Sequence, residues 1–111
     1  MHSTAPPMIL YVVVWRERGI FKVGRANHMG RVRKHLATGA TALVLVRDRT
    51  TVDEARALTA IARRYPRAFD TWREARKILG PAGSGYSECY QVAPQEIDLA
   101  VDLVLGALAN G

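Results

Sequence analysis

Two short apolar runs near the beginning of the chain are separated by a polar turn. Residues 8–15 are rich in β-branched side chains and follow Pro7, a pattern that predicts a buried strand. Residues 16–19 end in a glycine and supply the turn, so residues 20–23 are expected to form the second strand of a hairpin. A loop is then expected over residues 24–30.

Helical spacing and a further apolar run follow. Val32 and Leu36 lie four positions apart in the basic segment 31–38, and Gly39 comes directly after it. This predicts a short helix with both apolar side chains on one side and a glycine at its end. The run 42–46 is short and entirely apolar, which favours a third strand in the centre of the sheet.

A capping motif marks the beginning of the next helix. Thr51 and Glu54 have the spacing of a capping box, in which each side chain bonds to the backbone of the other residue. Apolar residues at positions 52, 55, 58 and 61 continue with helical spacing. This helix is therefore expected to pack on the sheet.

The last third of the chain predicts two more helices. Residues 68–79 form the first, residues 80–85 a loop and residues 86–92 a short extended segment. The side chains of the first helix expected to face inward are Phe69, Trp72 and Ile78. Pro94 begins the last helix, whose apolar face is wider than one core contact needs. That width leaves two interpretations open, a core-facing helix or a homodimer contact.

Composition limits the class of protein. A chain of 111 residues that is 49% hydrophobic can bury one core, which predicts one domain over 1–111. We expect a flexible N-terminus at 1–7, a core at 8–92 and a C-terminal helix at 93–111. The single cysteine, Cys89, excludes an internal disulfide framework, and the three histidines form no zinc pattern with it.

Neither a membrane span nor a signal peptide is evident in the sequence. No apolar run reaches the roughly 18 residues that a membrane span needs. The first seven residues also lack the charged start and apolar core of a signal peptide. We therefore expect a cytoplasmic protein that does not enter a membrane.

Positive charge is concentrated in the first half of the chain. Residues 1–50 hold nine Lys and Arg against two acids, whereas residues 51–111 hold seven against eight, within a net charge of +6. A concentrated positive potential attracts polyanions, most commonly nucleic acid. The alternative is an arginine-rich composition that spreads charge over solvated faces.

Residues suited to holding a phosphate lie between positions 11 and 31. Tyr11 belongs to the first strand, Lys22 and Gly24 to the end of the second, and Arg31 to the start of the basic helix. Fixed positive groups stabilise the transition state of phosphodiester hydrolysis. A tyrosine, with a pKa near ~10, is a base at neutral pH only where neighbouring cations stabilise its phenolate. The alternatives are a strand aromatic with its hydroxyl at the surface and a glycine that permits a turn with positive φ.

The order and spacing of these residues resemble the GIY-YIG endonuclease superfamily, in its compact phage and bacterial branch with a Lys-Ile-Gly second motif. The matching segments are residues 10–11, 21–25, 31–35, 53–65 and 87–90. The resemblance implies an α+β fold with a three-stranded, mostly antiparallel sheet and flanking helices, to which this chain adds a C-terminal helix. It also implies phosphodiester hydrolysis with one Mg²⁺ or Mn²⁺ and no organic cofactor.

The resemblance also implies roles for individual residues. Tyr11 takes the place of the tyrosine that activates or orients the attacking water, and Lys22 that of the second tyrosine. Arg31 matches the arginine that steadies the phosphate, because it lies four residues before His35, with Arg33 as the alternative. The candidate nucleic-acid-binding residues are Arg25, Arg33, Lys34 and His35.

The chain departs from the family at the position of the metal-binding glutamate. When the helix is aligned with the family motif, Thr59 occupies the position of the glutamate that binds the metal ion. Threonine offers no anionic oxygen to Mg²⁺. Glu54 is expected to point elsewhere, since five residues leave it about 140° around the helix, and to serve the capping box. Glu88 is then the candidate metal ligand.

Three functions remain open from the sequence. The first is a metal-dependent DNA endonuclease or nickase. The second is a related domain that binds nucleic acid, with DNA favoured over RNA, as a regulatory or assembly module without hydrolysis. The third is a protein-binding module that works through the apolar last helix.

Overall fold

The first apolar run forms one of the two inner strands of a four-stranded antiparallel sheet. The computed structural model describes residues 8–80 and 85–109, and its strands are β1 (Met8–Trp15), β2 (Ile20–Ala26), β3 (Thr41–Arg49) and β4 (Cys89–Gln91). Their order across the sheet is β3-β1-β2-β4. The N-terminal segment 1–7 and residues 81–84 of the predicted loop lie outside the described residues.

In the described residues, four α-helices cover the two faces of the sheet. They are α1 (Gly30–Ala37), α2 (Thr51–Ala62), α3 (Trp72–Leu79) and α4 (Ile97–Ala109). Successive side chains of a strand point to opposite faces. Along β1, Leu10 and Val12 pack with residues of α2 and α4, whereas Tyr11 and Val13 pack with residues of α1 and α3. The face under α1 and α3 is therefore the face of the candidate tyrosine.

The expectation of three strands is wrong, because a short fourth strand completes the sheet. Cys89–Gln91 pairs with the beginning of β2, with Lys22 opposite Cys89 and Ile20 opposite Gln91. A strand of three residues is too short to show the alternation of apolar and polar residues by which strands are recognised. Its partner lies about seventy positions earlier in the chain, so only the tertiary fold reveals the pairing.

The third predicted strand is longer than expected and lies at an edge. β3 pairs with β1 and forms one side of the sheet, so the prediction of a central strand is wrong. Leu45, although apolar, is 47% exposed. An apolar run of this length is compatible with either position, since periodicity does not report how many neighbours a strand has.

Three helices present faces other than those predicted. In α1, Leu36 is exposed and His35 is buried instead. In α2, Ala57 and Ile61 face the core, while Val52 is exposed. The third helix begins at Trp72, four residues later than predicted, and the prediction that Trp72 and Ile78 face inward is wrong, since they are 47% and 38% exposed. Phe69 is buried as predicted but lies in the segment before the helix.

The C-terminal helix packs mainly on α2 and belongs to the core. Its buried side chains are Ile97, Ala100, Val104 and Leu108. Leu99 and Leu105 are 39% and 43% exposed, so the extra width of the apolar face reaches the surface at these two positions. Within residues 8–80 and 85–109, no helix has both the length and the apolar character that crossing a bilayer requires.

Candidate phosphate-binding site

Tyr11 and Gly24 face each other across β1 and β2. They are direct partners in the antiparallel register, and a Cβ on Gly24 would lie 2.9 Å from Cε2 of the tyrosine ring and closer still to Cζ and the hydroxyl oxygen. The ring therefore lies across the backbone of β2. Gly24 belongs to the strand and has no positive φ, so the interpretation of a turn glycine, and of a loop from position 24, is wrong.

The hydroxyl of Tyr11 meets a buried histidine of α1. The distance from Tyr11 Oη to His35 Nε2 is 3.1 Å, and both residues are fully buried. The edge of the imidazole also packs on Trp15, with ring centroids 5.4 Å apart. Within the described part of the chain, His35 Nδ1 is buried with no hydrogen-bond partner. The phenol and the imidazole thus form an isolated polar pair.

Burial keeps both members of this pair neutral. It raises the pKa of Tyr11 well above its ordinary value, and the charge of Arg31 opposes the shift without overcoming it. The pKa of His35 is lowered to about 4, first by burial and then by the charges of Lys22 and Arg31. The neighbouring cations therefore do not make Tyr11 a phenolate in this state. Its hydroxyl is a neutral group held beside a neutral imidazole.

Lys22 is buried beneath the turn that carries Glu88. The residue is only 2% exposed, and its ammonium group donates to the carbonyl oxygen of Gly85 at 3.1 Å. The same Nζ lies 3.8 Å from Glu88 Oε2. Lys22 therefore ties β2 to the segment before β4 and holds the Glu88 carboxylate in place.

A pocket of about 530 Å³ opens at the C-terminal end of β2. Its charged or titratable lining residues are Arg25, His28, Arg31, Lys34, His35, Glu54 and Glu88. Arg31 also approaches the end of β2, with 3.5 Å between Nη1 and the carbonyl oxygen of Arg25. Arg33 is exposed and does not line the pocket. Of the two arginines considered from the sequence, the geometry favours Arg31.

Glu54 is the site residue that sequence reasoning missed. Its carboxylate accepts a hydrogen bond from Arg25 Nε at 2.8 Å and is 13% exposed inside the pocket. The capping box of α2 is formed one residue earlier, between Thr50 and Asp53, with Asp53 N donating to Thr50 Oγ1 at 3.3 Å and Thr50 N to Asp53 Oδ2 at 3.0 Å. The prediction that Glu54 caps the helix and points away from the site is therefore wrong.

Thr59 lies on a different side of α2. Its hydroxyl donates to the carbonyl oxygen of Ala55 at 2.8 Å, and it lines a groove between α2 and α4. It is not among the residues that line the basic pocket. The absence of a carboxylate at this position consequently removes nothing from the pocket.

The two glutamates bring negative charge into a positive pocket. Burial raises the pKa of Glu88 and the charge of Glu54 adds to the shift, although Lys22, Arg25 and Arg31 act in the opposite direction. Among residues 8–80 and 85–109, no group of three His, Cys, Asp or Glu side chains is arranged to hold a metal. Mg²⁺ is commonly held by one or two carboxylates together with water and substrate phosphate. Glu54 and Glu88 fit such a partial set.

Comparison with protein-family models, curated proteins and solved structures finds no match to this chain.

Proposed function

We propose that the protein is a GIY-YIG-like nucleic-acid phosphodiesterase, a metal-dependent DNA endonuclease or nickase. The observation that carries the proposal is the pocket in which Arg31 and Lys34 face two glutamates next to the buried pair of Tyr11 and His35. Cations that bind a phosphate and carboxylates that bind a divalent ion are two groups that metal-dependent phosphodiester hydrolysis uses.

Arg31 and Lys34 are the groups that would receive the phosphate. Both lie on the exposed side of α1 and line the pocket. A guanidinium can donate two parallel hydrogen bonds to a phosphate, whereas an ammonium acts as a point charge. Arg31 would therefore orient the phosphodiester, and Lys34 would add attraction with less directional preference. Arg25 is engaged by Glu54 and would chiefly position that carboxylate.

Glu54 and Glu88 are the residues that would hold Mg²⁺ or Mn²⁺. A divalent ion there would polarise a phosphoryl oxygen and lower the pKa of a bound water. The carboxylates reach the pocket from α2 and from the turn before β4, and each is anchored by a cation of β2, Arg25 for Glu54 and Lys22 for Glu88. Lys22 would thus act as a positioning residue.

Tyr11 would act on the pocket by positioning His35. Its hydroxyl is buried and is not among the pocket-lining groups, whereas His35 lines the pocket and contacts the hydroxyl. Because the pKa of His35 is lowered and that of Tyr11 is raised, the two groups stay neutral near pH 7 and share one hydrogen bond. We therefore assign to Tyr11 the task of holding the His35 imidazole in position at the edge of the pocket.

Nicking of supercoiled plasmid with Mg²⁺ or Mn²⁺ tests this function. We expect nicking by the wild type and a loss of about 100-fold or more in the Glu54→Gln variant, as is typical when one group that stabilises the transition state is removed. Tyr11→Phe should cause a smaller loss, because its hydroxyl positions His35 and does not itself line the pocket. Thr59→Glu is the matched control, because it adds a carboxylate to the same helix outside the pocket. It should neither lower nor raise the rate.

The alternative is a domain that binds nucleic acid without cutting it. It is favoured by the burial of Tyr11 and Lys22 and by the ion pair that engages Glu54. If no metal-dependent nicking occurs but duplex binding weakens with salt, with a slope of about −0.9 per neutralised phosphate, the binding module is the correct function. Weaker binding and a smaller slope in Arg31→Gln would assign that binding to the pocket.

A further inference from the structure

The outer side of α3 carries an exposed aromatic ring among cations. Trp72 lies in the first turn and is 47% exposed. The guanidinium of Arg76, one turn later, lies 5.0 Å from the centroid of its ring. Arg73 and Lys77 are also exposed, whereas the opposite side of the helix is buried. This surface, defined by Trp72, Arg73, Arg76 and Lys77, is called the α3 platform below.

The α3 platform keeps a net positive charge, because its helix carries three cations against one acid. The acid in this helix, Glu74, is engaged at the helix start, where its backbone N–H donates to Thr71 Oγ1 at 3.2 Å and Thr71 Oγ1 donates to its carboxylate at 3.3 Å. Within the described ranges 8–80 and 85–109, no ion pair involves Arg73, Arg76 or Lys77. The α3 platform therefore complements a polyanion.

The α3 platform lies on the same side of the sheet as the candidate tyrosine. Ala75 and Leu79, on the buried side of α3, belong to the same core cluster as Tyr11 and Val32 of α1. Five peptide units join Gly80 at the end of α3 to Gly85, which accepts the hydrogen bond of Lys22, so these two glycines are at most about 18 Å apart. The eight residues from Trp72 to Gly80 add about 12 Å of helix, so the Trp72 backbone lies at most about 30 Å from Gly85. A single strand that occupies the pocket can span this distance.

We propose that the α3 platform binds a single-stranded segment of nucleic acid, with an unpaired base stacked on Trp72 and phosphates on Arg73 and Lys77. Aromatic side chains within a basic surface bind single strands, because an unpaired base offers its face for stacking. In a duplex each base face is covered by its neighbours. The inference rests on the proposed function, since the strand held here would be the one that enters the pocket.

Tryptophan fluorescence isolates the proposed contact. The chain has two tryptophans, and Trp15 is buried with its indole N–H donating to Thr38 Oγ1 at 3.1 Å. Stacking of a base on Trp72 should therefore quench the exposed component of the emission. Titration with an oligothymidylate of about 16 nucleotides is expected to give saturable quenching, whereas a duplex of the same length should give little.

Variants of Trp72 and Arg73 distinguish the contribution of base stacking to strand binding from the contribution of charge. Trp72→Ala should weaken oligothymidylate binding, measured by the anisotropy of a labelled strand, by about tenfold, and Trp72→Phe should retain most of it. Arg73→Gln should reduce the slope of log affinity against log salt by about 0.7. Leu45→Ala is the matched control, because Leu45 is equally exposed at 47% but lies on β3. It should bind like the wild type.

The outcomes distinguish this inference from the proposed function. Equal affinity of Trp72→Ala and the wild type, or strand binding without quenching, would overturn the role of the α3 platform and leave the pocket intact. Loss of binding in Trp72→Ala, together with no effect of Arg31→Gln on binding or on plasmid nicking, would support the α3 platform and contradict the pocket. If no oligothymidylate binding is detected, the inference is wrong. The plasmid nicking assay tests the role of the pocket independently.

Discussion

The ring of Tyr11 occupies the space in which any residue other than glycine at position 24 would carry its side chain. The sequence revealed the two residues as members of one motif, but it did not reveal that they touch, because pairing register is a property of the folded hairpin. The same holds for Glu54, whose place in the pocket depends on which of two adjacent threonines caps α2. Arg31, which was chosen from its spacing to His35, lines the pocket, whereas Arg33 does not.

Substitution of Gly24 tests this close contact. Gly24→Ala should lower the free energy of unfolding by about 1–3 kcal/mol, because the added methyl group overlaps the tyrosine ring. Gly106→Ala, in α4, meets no atom within 4 Å and should raise the free energy of unfolding by about 0.5–1 kcal/mol, because alanine suits a helix better than glycine. Urea denaturation measures both. Equal effects of the two changes would contradict the contact.

His35 should make stability depend on pH. In the unfolded chain its pKa is near ~6.5, whereas in the folded protein it is about 4. Between these values the unfolded chain binds more protons, so the free energy of unfolding falls as the pH drops from 6.5 to 4. The contribution is fully present above pH 7, and at pH 4 most of about 3 kcal/mol is lost.

Comparison with His35→Gln isolates this effect. Urea denaturation at several pH values should show the wild type losing stability relative to the variant across this window, while carboxyl groups such as Glu88 contribute to both proteins. A constant difference between the two proteins from pH 7 to pH 4 would show that His35 is not a buried neutral imidazole.

At the scale of elements, the existence of long periodic segments was predictable, but the faces that the helices bury were not. β1 has its predicted bounds, and α4 begins at Ile97, three residues after the predicted Pro94, because a 3₁₀ turn over Pro94–Glu96 precedes it. Both were recognisable because each has an apolar pattern over at least eight residues. The face of α1 was misjudged, since His35 is polar but buried against Tyr11, and α3 was misjudged because its first turn lies beyond the edge of the core. β4 was expected only as an extended segment within residues 86–92, and its place in the sheet was not predictable because it depends on pairing with β2.

The start of α2 allows a direct test of one such error. Thr50→Ala should lower the free energy of unfolding by about 1 kcal/mol, since it removes the side chain that caps the helix. Thr51→Ala, one residue later, should change it by less than about 0.5 kcal/mol. Thermal denaturation of the pair decides between the two capping registers. A larger loss of stability in Thr51→Ala would instead support the capping box expected from the sequence, in which Thr51 pairs with Glu54.

At the scale of the whole molecule, the two faces of the sheet carry different surfaces. The outer sides of α1 and α3 are basic, whereas α4, on the other face, exposes Leu99 and Leu105. Composition predicted the positive charge of the first half of the chain, but only the topology shows that cations of α3, from the second half, share a face with α1. α1 and α3 are far apart in sequence, but both pack on one face of the sheet, while α2 and α4 pack on the other.

The exposed leucines of α4 define the test of a homodimer. If a second copy covers this helix, Leu105→Glu should shift the sedimentation mass from two chains toward one without loss of helical circular dichroism, because the side chain is exposed in the single chain. Val104 and Leu108 are unsuitable for this test, since they are buried and a charge there would disrupt the core. A wild type that sediments as a monomer at high concentration would assign α4 to the core alone.

The contact between Tyr11 and Gly24 also affects how the hairpin finds its alignment during folding. A slip of one residue would set Tyr11 opposite Val23 or Arg25, both of which carry a Cβ where the ring needs free space, and would turn one strand's side chains to the wrong face. The two partners are close in sequence, so they can meet before distant segments assemble. The glycine beside the candidate catalytic ring therefore also selects against misaligned hairpins.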